Sequence, residues 1–131
     1  SYHLQRGGYL SLALPDKRFT FDKNHTSTTF NDWMVYFTNN FTKPHFGNIF
    51  NSLLIQFKKI DPINAEKKAL KETLLTISSN EYFDCHVSYF TKKELLEIIN
   101  KIIFFKIINF KVVANFSNYK NAEFIAILQK I

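Results

Sequence analysis

A short apolar run that enters from Gly7-Gly8 and stops at Pro15-Asp16 most limits the folds open to this chain. Tyr9-Leu10-Ser11-Leu12-Ala13-Leu14 has the length and composition of a buried strand. The charges and aromatics that follow, Lys17-Arg18-Phe19-Thr20-Phe21-Asp22, read as the loop that such a strand feeds at the end of an α/β sheet. Sheets of that class keep their chemistry at that end of their strands.

With 131 residues the chain amounts to one domain at most, and 46% hydrophobic residues including 15 phenylalanines are enough for a modest core. Cys85, as the one cysteine, excludes an internal disulfide or a multi-cysteine zinc site, and its aromatic neighbours suit a buried thiol. Four histidines with no close pair make no metal site, and His3 and His45 have no supporting context. No apolar run approaches the roughly eighteen residues of a membrane span, and no charged-then-apolar leader pattern opens the sequence, so a cytoplasmic protein without membrane contact is expected. The net charge of +6 admits a polyanionic partner. The lysines, however, are scattered among Asn, Ile and Phe rather than interleaved with aromatics in a cluster, which ranks nucleic acid last among the partners.

Beyond the loop of residues 15–26, a helix is expected from Thr26, with Ser27 or Thr28 as its cap and Phe30, Trp33, Met34, Phe37 and Phe41 as a core-facing stripe. After Pro44, Ile49, Phe50, Leu53, Leu54 and Phe57 mark a second helix ending near Lys58-Lys59, where cations suit the helix dipole. Asp61-Pro62 reads as an N-cap followed by a first-turn proline, opening a third helix with Ala65, Ala69, Leu70, Leu74 and Ile77 near one face. Thr91-Lys92-Lys93-Glu94 is a capping box that opens a fourth helix with Leu95, Ile98, Ile99 and Ile102 inward. Residues 107–116 and 123–128 then read as two strands of an antiparallel hairpin turning at Ser117–Lys120.

Three passages resemble class I S-adenosylmethionine-dependent methyltransferases. Gly7 to Asp22 is similar to the fifth strand and following loop of a bacterial subgroup, "PGG-x-L-x-L-x-x-PD-K-R-[FY]-x-F-D", with Arg6 in place of the first proline. Asp84 to Leu95 resembles the "H-x-x-x-[FW]-T-x-x-[ES]-[FL]" passage before the last helix, and Asn121 to Leu128 resembles the closing "N-E-F-I-x-x-L" strand. The resemblance implies an α/β fold: the C-terminal half of a Rossmann-like methyltransferase sheet, a single partial domain over 1–131 with inserted helices at about 27–77 and a C-terminal antiparallel hairpin. In that family the last strand lies antiparallel beside the fifth.

The same resemblance implies S-adenosylmethionine as cofactor of a complete protein and a small-molecule or glycan-related methyl acceptor. That family holds its cofactor on a glycine-rich turn after its first strand, and Gly7, Gly8 and Gly47 do not follow that pattern, so no cofactor is expected on this chain alone. Methyl transfer needs an aligned acceptor and, for a hydroxyl or amine, a base. His25 and His86 are the candidate catalytic groups, while Asp16, Arg18 and Asp22 are the candidate acceptor-binding groups. The plainer readings are an Asp16–Arg18 structural ion pair, a His25 that merely begins a helix, and a hydrogen-bonded His86. A sheet cut at its middle would leave the edge of its opening strand bare, which implies a homo-oligomer through that edge or a longer parent chain. A non-catalytic protein-interaction module on the same scaffold is the alternative.

Overall fold

The computed structural model describes residues 4–131. Four α-helices and a three-stranded antiparallel sheet form a mixed α/β structure among them, in the order β1 (Tyr9–Pro15), α1 (Phe30–Asn39), α2 (Phe46–Ile60), α3 (Ala65–Ser79), α4 (Lys92–Phe104), β2 (Phe110–Asn118), β3 (Glu123–Lys130). The contacts divide the chain into two units. One comprises residues 4–23, 27–30 and 90–131, the other 24–26 and 31–89.

In the first unit β3 is the central strand, antiparallel to β1 on one side and to β2 on the other. Its residues alternate, with Phe124, Ala126 and Leu128 buried and Ile125 and Ile127 half-buried, as a strand with one covered face requires. Leu10, Leu12 and Leu14 pair with Leu128, Ala126 and Phe124 and so lie on the same face, but no residue of β1 is buried. Leu12 and Leu14 are half-buried and Leu10 is exposed, so the expected buried strand is an edge strand of the sheet. Phe90 meets Phe124 edge-on at 6.2 Å, and α4 lies against β2 with Leu95, Ile98 and Ile99 buried. The capping box is formed as the sequence predicts: the Thr91 amide donates to Glu94 Oε2 at 2.8 Å, and the Glu94 amide to Thr91 Oγ1 at 3.4 Å. α4 ends in a Schellman motif with Lys106 left-handed at φ 56°, the Ile107 amide reaching back to the Ile102 carbonyl at 3.0 Å. That turn delays β2 to Phe110, three residues after its expected start.

The Gly7-Gly8 pair forms a bulge where β1 begins. Gly7, at φ 83°, donates its amide to the Lys130 carbonyl at 2.8 Å, and Lys130 returns its amide to the Gly8 carbonyl at 2.9 Å, so two residues face one. A Cβ on Gly8 would lie 2.9 Å from the Gln5 carbonyl oxygen. Both positions therefore favour glycine, one for its backbone angle and the other for space.

The second unit is built on α2 and α3. Ile49, Leu53 and Ala69 form its buried core, with Phe50, Leu54, Phe57, Phe83 and Cys85 packed around them. His45 caps α2, its Nδ1 accepting the Gly47 amide at 3.0 Å while its own amide donates to Asn48 Oδ1 at 3.2 Å. α3 starts at Ala65 rather than Pro62. Asp61 accepts the Asn64 amide at 3.3 Å and the Lys68 ammonium at 2.7 Å, so it closes a preliminary turn instead of capping the helix itself.

The expected apolar face of α3 holds at Ala65 and Ala69 but not at its larger residues. Ala65, Ala69 and Thr73 are buried, whereas Leu70, Leu74 and Ile77 are exposed. Small residues at i, i+4 and i+8 let a neighbouring helix approach closely, and the Thr73 hydroxyl is satisfied by the Ala69 carbonyl at 2.7 Å. The aromatic stripe of α1 is not a core face either: no residue of α1 is buried, and Phe37 is 69% exposed. α1 ends in its own Schellman turn at Asn40 (φ 51°), with the rings of Phe41 and Tyr36 5.5 Å apart.

Ala122, between β2 and β3, sits in the left-handed region at φ 54°. A Cβ there costs about 1–2 kcal/mol, of which glycine's greater unfolded-state entropy returns roughly half. Ala122→Gly is expected to raise stability by up to about 1 kcal/mol, seen as a Tm increase of a few degrees in thermal unfolding. A lower Tm would show that the position is unstrained.

Candidate functional site

The loop after β1 is held by its own groups. Asp16, buried at 3% exposure, accepts from Arg18 three times: from the amide at 3.1 Å and Nε at 2.9 Å on Oδ1, and from Nη2 at 2.7 Å on Oδ2. The amide of Asp16 donates to the Ala122 carbonyl at 2.9 Å and that of Lys17 to the Phe90 carbonyl at 3.1 Å, which pins the loop to the sheet. The guanidinium also lies 5.2 Å from the centre of the Phe19 ring. Asp22 is buried beside Thr20, whose hydroxyl accepts its amide at 3.2 Å. Of the three expected acceptor-binding groups in this loop, Asp16 and Arg18 thus meet each other in the bidentate geometry that an anionic ligand would otherwise take.

His25 and His86 belong to the second unit, where Tyr89 links them. The imidazole of His25 stacks on the Tyr89 ring, centroids 4.0 Å apart and planes within 7°. The Tyr89 hydroxyl donates to the backbone carbonyl of His86, so the link runs through the main chain of His86, whose side chain is exposed. His3 lies outside the described residues. His45, left without a role by the sequence, serves as the α2 cap in an aromatic group with Tyr36 and Phe41 at 5.1 and 5.6 Å.

Two of the concave surfaces within the second unit are lined by candidate residues or by the aromatic stripe of α1. One is a cleft of about 220 Å³ lined by Asn24, His25, Thr26, Asn51, Leu54, Ile55, Lys58 and Tyr89. The other is a wider groove of about 440 Å³ lined by Trp33, Tyr36, Phe37, Asn40, Phe41 and Ser88. Sequence reasoning missed Asn51 and Lys58, which fall on a helix whose lysines already had an explanation at its C-terminus. Their shared cleft arises where residues 24–26 and Tyr89 meet α2, a long-range feature with no local signal.

Arg18, first among the causes, holds the Asp16 carboxyl below the usual aspartate range against an opposing burial effect. Burial, reinforced by Asp84, pushes the Cys85 thiol up to about 11, which leaves it protonated near neutrality. Among the described residues no group of three His, Cys, Asp or Glu side chains is placed to hold a metal ion. No described helix is long and apolar enough to cross a membrane. No family model, curated protein or solved structure matches the chain.

A lowered folded-state carboxyl pKa contributes stability that is complete above the ordinary aspartate value of about 3.9 and is lost as pH falls through the lowered value. Because Arg18 is half exposed, solvent screens part of the interaction. Asp16→Asn is therefore expected to cost about 1–2 kcal/mol at pH 7, with the difference from the parent shrinking below about pH 4 in urea unfolding. A pH-independent difference would mean that the charge of Asp16 does not matter.

Proposed function

We propose that the chain is the C-terminal, acceptor-side portion of a S-adenosylmethionine-dependent methyltransferase, inactive alone. The observation that supports this most is the strand order β1-β3-β2. It puts the last strand antiparallel beside the strand that carries the Pro15-Asp16-Lys17-Arg18-Phe19 loop, the arrangement that the sequence resemblance implies.

The glycines of this chain do not offer a cofactor cradle: Gly7 and Gly8 are taken up by the bulge on β3, and Gly47 by the cap of α2. The cofactor site in this reading belongs to another segment. What remains to the present residues is to orient an acceptor and take its proton, and His25, fixed in plane by Tyr89 and lining a cleft, suits both tasks better than the self-paired Asp16 and Arg18. A small or glycan-related hydroxyl compound matches the scale of that cleft.

A second reading, an interaction module that pairs strands with another chain, is favoured by the outer edge of β1. The bonds of Asp16 and Gly8 to β3 set the alternation, so that Tyr9, Ser11 and Ala13 direct their amides away from β3, and all three residues are exposed. β1 carries no charge that would discourage pairing with a second copy.

Titration calorimetry with S-adenosylhomocysteine separates the readings. A protein extended by its upstream coding sequence is expected to bind it, and the 131-residue chain is expected not to. An extended protein that gives no heat, while the isolated chain self-associates by light scattering, would favour the interaction module.

A further inference from the structure

Three phenylalanine rings and a lysine meet at the end of α4. The Phe104 and Phe105 rings lie 5.3 Å apart, edge to face, Phe30 stacks on Phe105 at 5.7 Å, and Lys101 Nζ is 5.8 Å from the centre of the Phe30 ring. Phe104 is 79% exposed and Phe105 58%, and Ile107, one residue past the left-handed turn at Lys106, is exposed as well. The rings thus hold one another in an apolar cluster that faces water, a feature that marks an interaction surface. We propose that this cluster is a peripheral membrane contact, its rings entering the interface of an anionic lipid surface and its lysines meeting the headgroups.

Charge selects the partner. From residue 98 to residue 122 the chain carries Lys101, Lys106, Lys111 and Lys120 and no aspartate or glutamate. The acids nearest along the chain or tied to this turn do not cancel them. Glu97, one turn before Lys101, lies 4.0 Å from Lys93. Asp32 follows Phe30 by two residues on α1, a spacing at which helical side chains do not face each other. The terminal carboxylate of Ile131 is held by Asn109 Nδ2 at 3.1 Å. A second copy of the chain would bring like ammonium groups together. A nucleic acid would need open ring faces to stack on, whereas Phe30 and Phe105 already stack and Phe104 meets Phe105 edge-on. A lipid interface requires neither: it takes up phenylalanine at the headgroup boundary and lets lysine stems lie along apolar surface while their ammonium groups stay with the phosphates. Each lysine near an anionic surface strengthens binding about fivefold. A span needs a long apolar run, which no described helix has, but a surface contact needs only a few exposed rings beside cations. This contact therefore departs from the sequence expectation, which rests on the missing apolar run.

Such a contact stands whether or not the chain belongs to a methyltransferase. The 131-residue chain would be floated with vesicles of phosphatidylcholine alone and of phosphatidylcholine with phosphatidylglycerol. Binding is expected with the anionic vesicles only, and it should fall as salt rises. Phe104→Ser should weaken it about tenfold or more, and Lys101→Gln combined with Lys106→Gln about twenty-five-fold. Two controls of the same chemistry on exposed residues of the other unit, Phe37→Ser and the pair Lys67→Gln with Lys71→Gln, should each change it less than about twofold. Phe104→Trp keeps the apolar ring, so it should bind like the parent, with emission quenched by brominated acyl chains beyond the quenching seen in the parent. No flotation, equal binding to the neutral vesicles, equal losses from the controls or no added quenching would each overturn the assignment. So would a single-stranded oligonucleotide bound more tightly than the vesicles through the same side chains, or self-association that Phe104→Ser abolishes.

Discussion

The pairing of β3 with both of its neighbours is the interaction on which the first unit depends. β1 and β2 lie more than ninety residues apart in sequence and meet only through this strand. Every apolar side chain that β3 buries is matched by a leucine on β1, and each end of the pairing is closed by a backbone device: the Gly7-Gly8 bulge at Lys130 and the Asp16 amide at Ala122. A one-residue slip would turn Phe124, Ala126 and Leu128 to the open face, so the register is fixed by the hydrophobic pattern together with those two ends.

The same pins explain why the loop after β1 is a weak place to look for a ligand site. Asp16 and Arg18 satisfy one another, and the backbone on either side is tied to residues 90 and 122. An arginine meant for an anionic ligand gains by facing open space with its fork unoccupied, whereas this one spends its fork on a buried aspartate. The cleft beside α2 is lined instead by one ammonium, two carboxamides and an imidazole, with no acid among its lining residues.

Much of this architecture could be read from local chemistry. The β1 run, the Thr91–Glu94 capping box and the β2–β3 hairpin follow from short-range patterns that depend on few distant contacts. Periodicity was less decisive for α1 and α3, where apolar residues lie on more than one face. On α3 the close packing of helices selects Ala65, Ala69 and Thr73 over the larger Leu70, Leu74 and Ile77, a choice that hydrophobicity alone reverses. Gly7-Gly8 reads as a turn in sequence because the bulge needs Lys130 to define it. His45 lacked a recognised role because imidazole is an uncommon helix cap. Of the candidate site, the Asp16–Arg18 pair was visible as a two-residue spacing, but the stacking of His25 on Tyr89 joins segments sixty-four residues apart and leaves no trace in either.

The strand order is the central claim, since both the fold and the methyltransferase reading rest on it. It is tested most directly by cross-strand nuclear Overhauser effects between Hα protons, which are strong only for facing residues of antiparallel pairs that do not exchange hydrogen bonds. The structure requires them between Ser11 and Ile127 and between Ala13 and Ile125, together with effects linking β3 to β2. Contacts from β1 to β2 in their place, or a parallel pattern between β1 and β3, would contradict the account.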